Sequence, residues 1–326
     1  MLQDLHHRVH DYLRISLTDQ CNMRCHYCIP DEHHSFAPNG HLMQPDEIHA
    51  IARIFADLGV NKIRLTGGEP LMRKDFSQIL ASLYPMFKIT TLTTNGVLLD
   101  RYLAEILDAG VTSINISLDT LDRQKFFEIT KRDMFDRVYQ NILSCVQSGL
   151  HVKINMVCVK GLNDDEILKF VQWTKDLPIH LRFIEFMPFD GNQWDQIKVI
   201  TQAEILTLIE TQFEMTKSKD EQHATAKGYQ VFGHLGTVSL ITTMTNHFCG
   251  TCNRLRLTAD GKMKNCLFSQ TETDLLTAFR SGVDIVPLIH QNLLKKAPAL
   301  GGQMDVNFQK INATHLVNRS MISIGG

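Results

Sequence analysis

The sequence predicts an α/β protein built on a parallel sheet, with a smaller α+β part towards its C-terminal end. Three observations carry this. Between residues 12 and 186, six short strand patterns alternate with amphipathic helix patterns, and regular β–α repetition implies parallel strands joined by right-handed crossovers. After residue 186 that rhythm stops. The 326 residues, 44% of them hydrophobic and 21% charged, are enough for one large barrel with an appendage or for two domains. Periodicity alone does not choose between a doubly wound sheet and a barrel.

Tyr12 to Leu17 (YLRISL) is the first strand, with Arg14 at its middle. From Pro45 a helix follows, with Pro in the first turn, apolar residues at Ile48, Ile51, Phe55 and Leu58, and Gly59 as a stop. Lys62 to Thr66 is the second strand, ended by Gly67-Gly68-Glu69-Pro70, and Asp75 to Tyr84 the second helix. Strands at Ile89–Thr93, Ser113–Ser117, Val152–Val159 and His180–Phe186 then alternate with helices at Leu98–Ala109, Phe135–Gln147 and Asp164–Lys175. A polar loop (residues 188–195) leads to a helix at Gln202–Glu210, then to a charged, weakly patterned stretch at 217–227, and short strands resume from Tyr229. The expected boundary lies near residue 225, giving units 1–225 and 226–326.

The chemistry concentrates in cysteine. Six of the eight fall into two triplets, Cys21/Cys25/Cys28 and Cys249/Cys252/Cys266, while Cys145 and Cys158 sit in apolar helix and strand patterns and read as small core residues. Thiolates suit zinc or iron–sulfur. A triplet can hold three irons of a cubane [4Fe-4S] cluster and leave the fourth open for a ligand. A closed zinc site needs four ligands, so zinc would require His26 or a distant residue to complete the first triplet, while His247 lies close to the second. A non-catalytic zinc protein therefore stays open as the different-class alternative.

Charge and hydropathy exclude several classes. A formal net charge of −2 gives no global nucleic-acid footprint, and no apolar run is long enough to span a bilayer. The N-terminus shows no apolar h-region, so a cytoplasmic location is expected. Local cations stand out instead. Arg254 and Arg256 share one face of a strand-like run, as do Lys62 and Arg64, while Arg14, Lys153 and Arg182 lie inside other strands. Buried cations are costly unless paired, so this set points to a polyanion in the barrel; a salt-bridge network is the plainer alternative. Gly67 and Gly68 stand at a strand C-terminus, where α/β proteins bind ligands, and Thr93, Asn95, Ser117 and Asp119 cluster at neighbouring strand ends.

Taken in order, these segments resemble the GTP 3′,8-cyclase family of molybdenum cofactor biosynthesis (molybdenum cofactor biosynthesis protein A), a branch of the radical S-adenosylmethionine (SAM) superfamily. The matching pieces are CX3CX2C at Cys21–Cys28, Leu13-Arg-Ile-Ser-Leu-Thr-Asp19, Arg64-Leu-Thr-Gly-Gly-Glu-Pro-Leu-Met-Arg73, Thr93-Thr-Asn-Gly96, Asn115-Ile-Ser-Leu-Asp119, Arg182-Phe-Ile-Glu-Phe-Met187, Phe248-Cys-Gly-Thr-Cys-Asn-Arg-Leu-Arg256 and Ile324-Gly-Gly326. The resemblance implies a partial (βα)6 TIM-type barrel with a C-terminal α+β extension carrying a second cluster.

It also implies the chemistry. A cluster on Cys21, Cys25 and Cys28 would reductively cleave SAM, whose contacts would be Tyr27, Gly68, Glu69, Ser117 and Met187. The resulting 5′-deoxyadenosyl radical would take the C3′ hydrogen of GTP, and C3′ would bond to C8 to give 3′,8-cyclo-7,8-dihydro-GTP. GTP contacts would be Arg14, Lys62, Arg64, Thr93, Lys153, Arg182, Arg254 and Arg256, with a second [4Fe-4S] cluster on Cys249, Cys252 and Cys266 facing the guanine. Arg254, Arg256 and the terminal Gly325 and Gly326 would serve catalysis, the glycines as a tail reaching into the site. Implied partners are a reductant and the cyclic pyranopterin monophosphate synthase that consumes the product, with neither nucleic acid nor membrane; a homodimer is left open. Residues 217–227 and 270–315 are the least family-like and supply no expected site residues. A radical-SAM peptide modifier with an auxiliary cluster is the nearer alternative.

Overall fold

The computed structural model describes residues 1–29 and 36–325. Its first half is the expected alternation: strands β1 (Tyr12–Ser16), β2 (Lys62–Thr66), β3 (Ile89–Thr94), β4 (Ser113–Ser117), β5 (His151–Cys158) and β6 (His180–Glu185). Between and after them come helices α1 (Pro45–Asp57), α2 (Phe76–Leu83), α3 (Leu99–Asp108), α4 (Arg123–Thr130), α5 (Phe135–Gln147), α6 (Ile167–Trp173) and α7 (Gln202–Glu210). Local chemistry sets the ends. At α1, Pro45 opens the first turn and the Gln44 N–H donates to Glu47 at 2.7 Å, while Ile48, Ile51, Ala52 and Phe55 face the core. Gly59 then takes a φ of 99°, a left-handed stop.

Helix α4 is not expected from the sequence. Its polar composition gives little apolar stripe, but Asp122 caps it by accepting the Lys125 N–H at 2.7 Å.

The remaining elements are β7 (Met215–Lys217), β8 (Lys227–Val231), β9 (Thr237–Ile241), β10 (Arg254–Leu257), β11 (Lys262–Lys264), β12 (Thr273–Asp274), α8 (Leu275–Arg280), α9 (Val286–Leu294) and α10 (Met321–Ile324). All strands join one sheet in the order 12-11-10-1-2-3-4-5-6-9-8-7. Strands β1 to β6 lie side by side in chain order and run parallel, the order of an unrolled barrel rather than of a doubly wound sheet. The sheet's two ends, β12 and β7, are not joined, so the barrel is partial.

The expected boundary near residue 225 is not a break in this sheet. Strand β9 pairs parallel with β6, and β10 pairs parallel with β1, so the C-terminal part extends both edges of the six-stranded core. Cys145 and Cys158 are fully buried in that core, whereas the six cysteines of the triplets are partly exposed.

Candidate active site

One cavity of about 310 Å³ opens inside the barrel. Side chains from all six strands reach its wall: Arg14, Thr66, Thr93, Asn115, Asn155 and Arg182, joined by Arg254 and Arg256 of β10. Both cysteine triplets line it as well. Topology puts them at opposite ends. The Cys21–Cys28 loop follows the C-terminus of β1. Cys249 and Cys252 precede the N-terminus of β10, which runs parallel to β1. Cys266 follows β11, antiparallel to β10, and so returns to that same lower end. The length of β1 separates the ends by roughly 13 Å at 3.3 Å per residue.

At the upper end the first loop is held by its own backbone. The Cys28 N–H donates to the Cys25 carbonyl at 2.9 Å, and the Arg24 N–H to the Thr130 carbonyl at 2.8 Å. The Arg24 guanidinium donates to the carbonyls of Cys21 and Met23. Cys21 Sγ accepts from the Met23 N–H at 3.4 Å and from Asn95 Nδ2 at 3.7 Å. Burial and the Asp119 carboxylate hold the Cys25 thiol well above its ordinary range. Tyr27 donates its hydroxyl to Asp119, which also accepts the Val157 N–H at 2.8 Å. Burial pushes Asp119 up to about 6. Ser117 and Met187 complete this wall.

The Gly-Gly-Glu turn divides its work differently from expectation. Gly67 and Gly68 line the cavity. A Cβ on Gly68 would lie 2.4 Å from the Gln20 carbonyl oxygen, so only glycine lets this turn stack on the segment leading into Cys21. Glu69 is fully buried and does not line the cavity. Its carboxylate accepts from the Leu71 N–H at 3.1 Å, the Thr94 hydroxyl at 2.8 Å and the Asn95 N–H at 2.7 Å. Glu69 therefore builds the turn and the strand ends behind it.

In the middle of the barrel the cations form rows. Register aligns Tyr12 with Lys62 and Arg254, and Arg14 with Arg64 and Arg256. With period 2, all six point to one face. The Arg64 guanidinium donates to the Tyr12 hydroxyl at 2.5 Å and to Thr93 Oγ1 at 3.1 Å. The Lys62 ammonium lies 4.9 Å from the Tyr12 ring centroid, and Arg254 stacks on Phe248 at 4.8 Å. Lys153 and Arg182 continue the positive wall on β5 and β6. Among the described residues none of these cations pairs with a carboxylate, and Arg14 Nε and Arg182 Nε are buried without any partner.

The pKa shifts follow. Burial and neighbouring cations lower Arg14 to about 10, Arg182 to about 9 and Lys153 to about 8. Burial alone would push the Tyr12 phenol up, but Arg64, Arg14 and Lys62 bring it down to about 6. The cation rows have no carboxylate partner among the described residues, and a polyanion would supply the counter-charge. A salt-bridge network does not.

At the lower end Cys249, Cys252 and Cys266 open into the same cavity. Burial raises the Cys252 thiol, but Arg254 and Lys296 outweigh it and bring it down to about 6. Among the described residues no three or more His, Cys, Asp or Glu converge as on a single metal ion. His26 borders a separate small cavity with Lys198, and His247 is not on the main wall. Three partly exposed thiols facing a shared cavity fit the donor set of a polynuclear iron–sulfur cluster at each end.

The chain's last described residue belongs to this site. Gly325 is buried, with its carbonyl accepting from Arg256 Nη1 at 2.6 Å, and a Cβ there would meet Ser16 Cβ at 2.9 Å. Gly326 lies outside the described residues. Lys62, Arg64 and Lys153 stand behind the wall rather than on it. Asn155 on the wall and Tyr12 behind it, bonded to Arg64, were missed by sequence reasoning, although each lies two residues from an expected cation, Tyr12 before Arg14 and Asn155 after Lys153.

The comparisons with known proteins agree with this geometry. Residues 15–174 match the family model of the radical SAM superfamily, and residues 179–300 that of Molybdenum Cofactor Synthesis C. Over its whole length the chain is 45% identical to a mitochondrial GTP 3′,8-cyclase of Arabidopsis thaliana, covering 84% of that protein. It is 38% identical to a GTP 3′,8-cyclase of Alkaliphilus oremlandii, with both chains fully covered. It is 44% identical to molybdenum cofactor biosynthesis protein 1 of Bos taurus, of which it spans about half, 51%. Among solved structures, Streptococcus suis SuiB bound to S-adenosylmethionine superposes with a TM-score of 0.66 at 16% identity, over 97% of this chain and 77% of that one, a likeness of fold. The chain belongs to the GTP 3′,8-cyclase family of radical SAM enzymes.

Proposed function

We propose that this chain converts GTP to (8S)-3′,8-cyclo-7,8-dihydro-GTP, the first step of molybdenum cofactor biosynthesis, a lyase reaction that takes the C3′ hydrogen and joins C3′ to C8. One observation carries the reading: a set of buried and half-buried cations with no carboxylate partner among the described residues lies between two thiol triplets in a single cavity. When bound, the [4Fe-4S] cluster at the first triplet and SAM supply the radical that abstracts hydrogen.

The chain's residues do the rest. Cys21, Cys25 and Cys28 hold the upper cluster. The Tyr27–Asp119 pair, the backbone of Gly67 and Gly68, Ser117 and Met187 surround SAM, and Asp119 places negative charge where a sulfonium and an ammonium arrive. Arg14, Arg64, Arg254 and Arg256, backed by Lys62, Lys153, Arg182 and Thr93, hold the triphosphate and so fix the ribose between the ends. Cys249, Cys252 and Cys266 would hold a second cluster at the guanine's end of the cavity. Gly325 sets the Arg256 guanidinium. The product passes to a ring-rearranging enzyme, cyclic pyranopterin monophosphate synthase, and an external reductant supplies the electron.

The test uses cluster-replete protein under anaerobic, reducing conditions with SAM and GTP deuterated at C3′. The expected outcome is 5′-deoxyadenosine carrying deuterium, formed only with GTP. Unlabelled 5′-deoxyadenosine that ignores GTP would leave SAM cleavage standing and remove the cyclase assignment.

A further inference from the structure

Residues 296–301 lie in the stretch that supplies no expected site residue, yet they surround the second triplet. The Lys296 ammonium is 3.9 Å from Cys252 Sγ, and its other partners are the carbonyls of Arg254, at 3.1 Å, and Asn265. The residue is 4% exposed. Among the described residues no carboxylate pairs with it. A buried ammonium bonded to carbonyls and a sulfur has only thiolate available as its counter-charge.

The same loop gives a second donor, the Leu300 N–H, to Cys249 Sγ at 3.4 Å. It is braced from the other side by Arg8, whose guanidinium donates to the carbonyls of Cys249, Ala297 and Pro298, each at 2.9 Å. Asp4 neutralises Arg8 at 2.6 Å, leaving Lys296 as the uncompensated charge of this loop, beside Arg254 of β10. The loop also leaves no slack: a Cβ on Gly301, whose φ is 67°, would come within 2.3 Å of the Phe268 carbonyl oxygen beside Cys266.

The first triplet has no counterpart. Among the described residues its sulfurs accept from neutral donors, the Met23 N–H and the Asn95 amide; carboxylates stand beside it, and the Arg24 guanidinium there is bonded to the Cys21 and Met23 carbonyls rather than to a sulfur. Positive charge and N–H donors at the sulfurs stabilise the reduced, more negative state of an iron–sulfur cluster and raise its potential.

We propose that Lys296 is the counter-charge of the second triplet and sets the cluster there at a higher reduction potential than the cluster at the first. This rests on the reading that Cys249, Cys252 and Cys266 hold a [4Fe-4S] cluster. Lys296 is a positioning and tuning residue, since it reaches the cluster through its ligand.

The test is an EPR-monitored redox titration of anaerobic holoprotein without SAM or GTP, comparing the native chain with Lys296→Met and Lys296→Arg. The native chain should reduce its second cluster before its first. Lys296→Met should make the second cluster harder to reduce by at least tenfold in the equilibrium constant, 59 mV for a one-electron couple, without moving the first. Lys296→Arg should stay near native. A folded Lys296→Met protein that loses only the second cluster, while Lys296→Arg keeps it, also supports the counter-charge.

An unmoved potential in an iron-loaded Lys296→Met protein overturns the proposal, as does a native first cluster that reduces before the second. If neither variant assembles, the native chain labelled with ¹⁵N-lysine decides. A lysine nitrogen coupled to the reduced second cluster supports the proposal, and its absence overturns it. A native protein with the iron and sulfide of one cluster instead of two would fail the underlying reading separately, before any variant is made.

Discussion

The two ends of the barrel carry the same ligand atoms in opposite electrostatic settings. At the upper end the thiols share their wall with Asp119 and Tyr27, and the donors to sulfur are neutral. At the lower end they stand among Arg254, Arg256 and Lys296. Cysteine count and spacing make the two triplets look interchangeable, but the surroundings do not. A carboxylate end suits a ligand bearing a sulfonium and an ammonium, and a cationic end suits a triphosphate. On the proposed function, charge assigns a ligand to each end.

The sharpest way to break this comparison is to remove one ligand at each end. Cys25→Ser should bring 5′-deoxyadenosine formation to background while GTP affinity stays within a few-fold; Cys252→Ser should keep SAM affinity and lose the cyclised product. Equal loss of both affinities in both variants, by equilibrium dialysis, would mean that the ends do not act separately. The next effect is smaller. Arg14→Ala removes a half-buried guanidinium whose buried Nε has no protein partner, and a charge-assisted bond contributes about 1.5–3 kcal/mol. GTP should bind roughly 10–100-fold more weakly, with guanosine and SAM unaffected; an equal loss for guanosine would place Arg14 away from the phosphates.

The smallest effect sharpens the cationic end by pH. Tyr12, held down to about 6 by its cations in the free site, is ionised at neutral pH, and an arriving triphosphate pushes its pKa back up. Binding then takes up a proton above about pH 6, so GTP affinity should rise as pH falls from 8 towards 6, by a few-fold. Loss of the phenolate absorbance on GTP addition reports the event directly, and Tyr12→Phe should flatten the profile. A profile unchanged in Tyr12→Phe would assign the proton elsewhere.

Much of this was legible because the signals are local. The six strands of the core fall within about two residues of their periodic patterns, and the period-2 cations identified the inner face before any coordinates. The edges of the sheet were not legible: β9 beside β6 and β10 beside β1 are pairings between distant segments, and nothing in either segment names its neighbour. The hydrogen bonds of Glu69 to its own turn were not legible either, because a strand-end acid reads equally well as a ligand contact or as a turn's own hydrogen-bond acceptor. Lys296 was invisible for a similar reason. It follows Leu293, Leu294 and Lys295 at the end of α9, where a basic residue ordinarily sits in solvent against the helix dipole, and only the approach of residues 249–266 buries it.

The pairing of β1 with β10 has a consequence for how the protein is made. Tyr12 leaves the ribosome about 240 residues before its partner Arg254, roughly 12–48 s at 5–20 residues per second. Throughout that interval the first strand has an open edge, the kind of edge that invites aggregation. Its own side chains meet the hazard. Arg14 on β1 and Lys62 and Arg64 on β2 put like charges along the nascent sheet, and in a chain still waiting for its last strand these cations would act as gatekeepers against self-association.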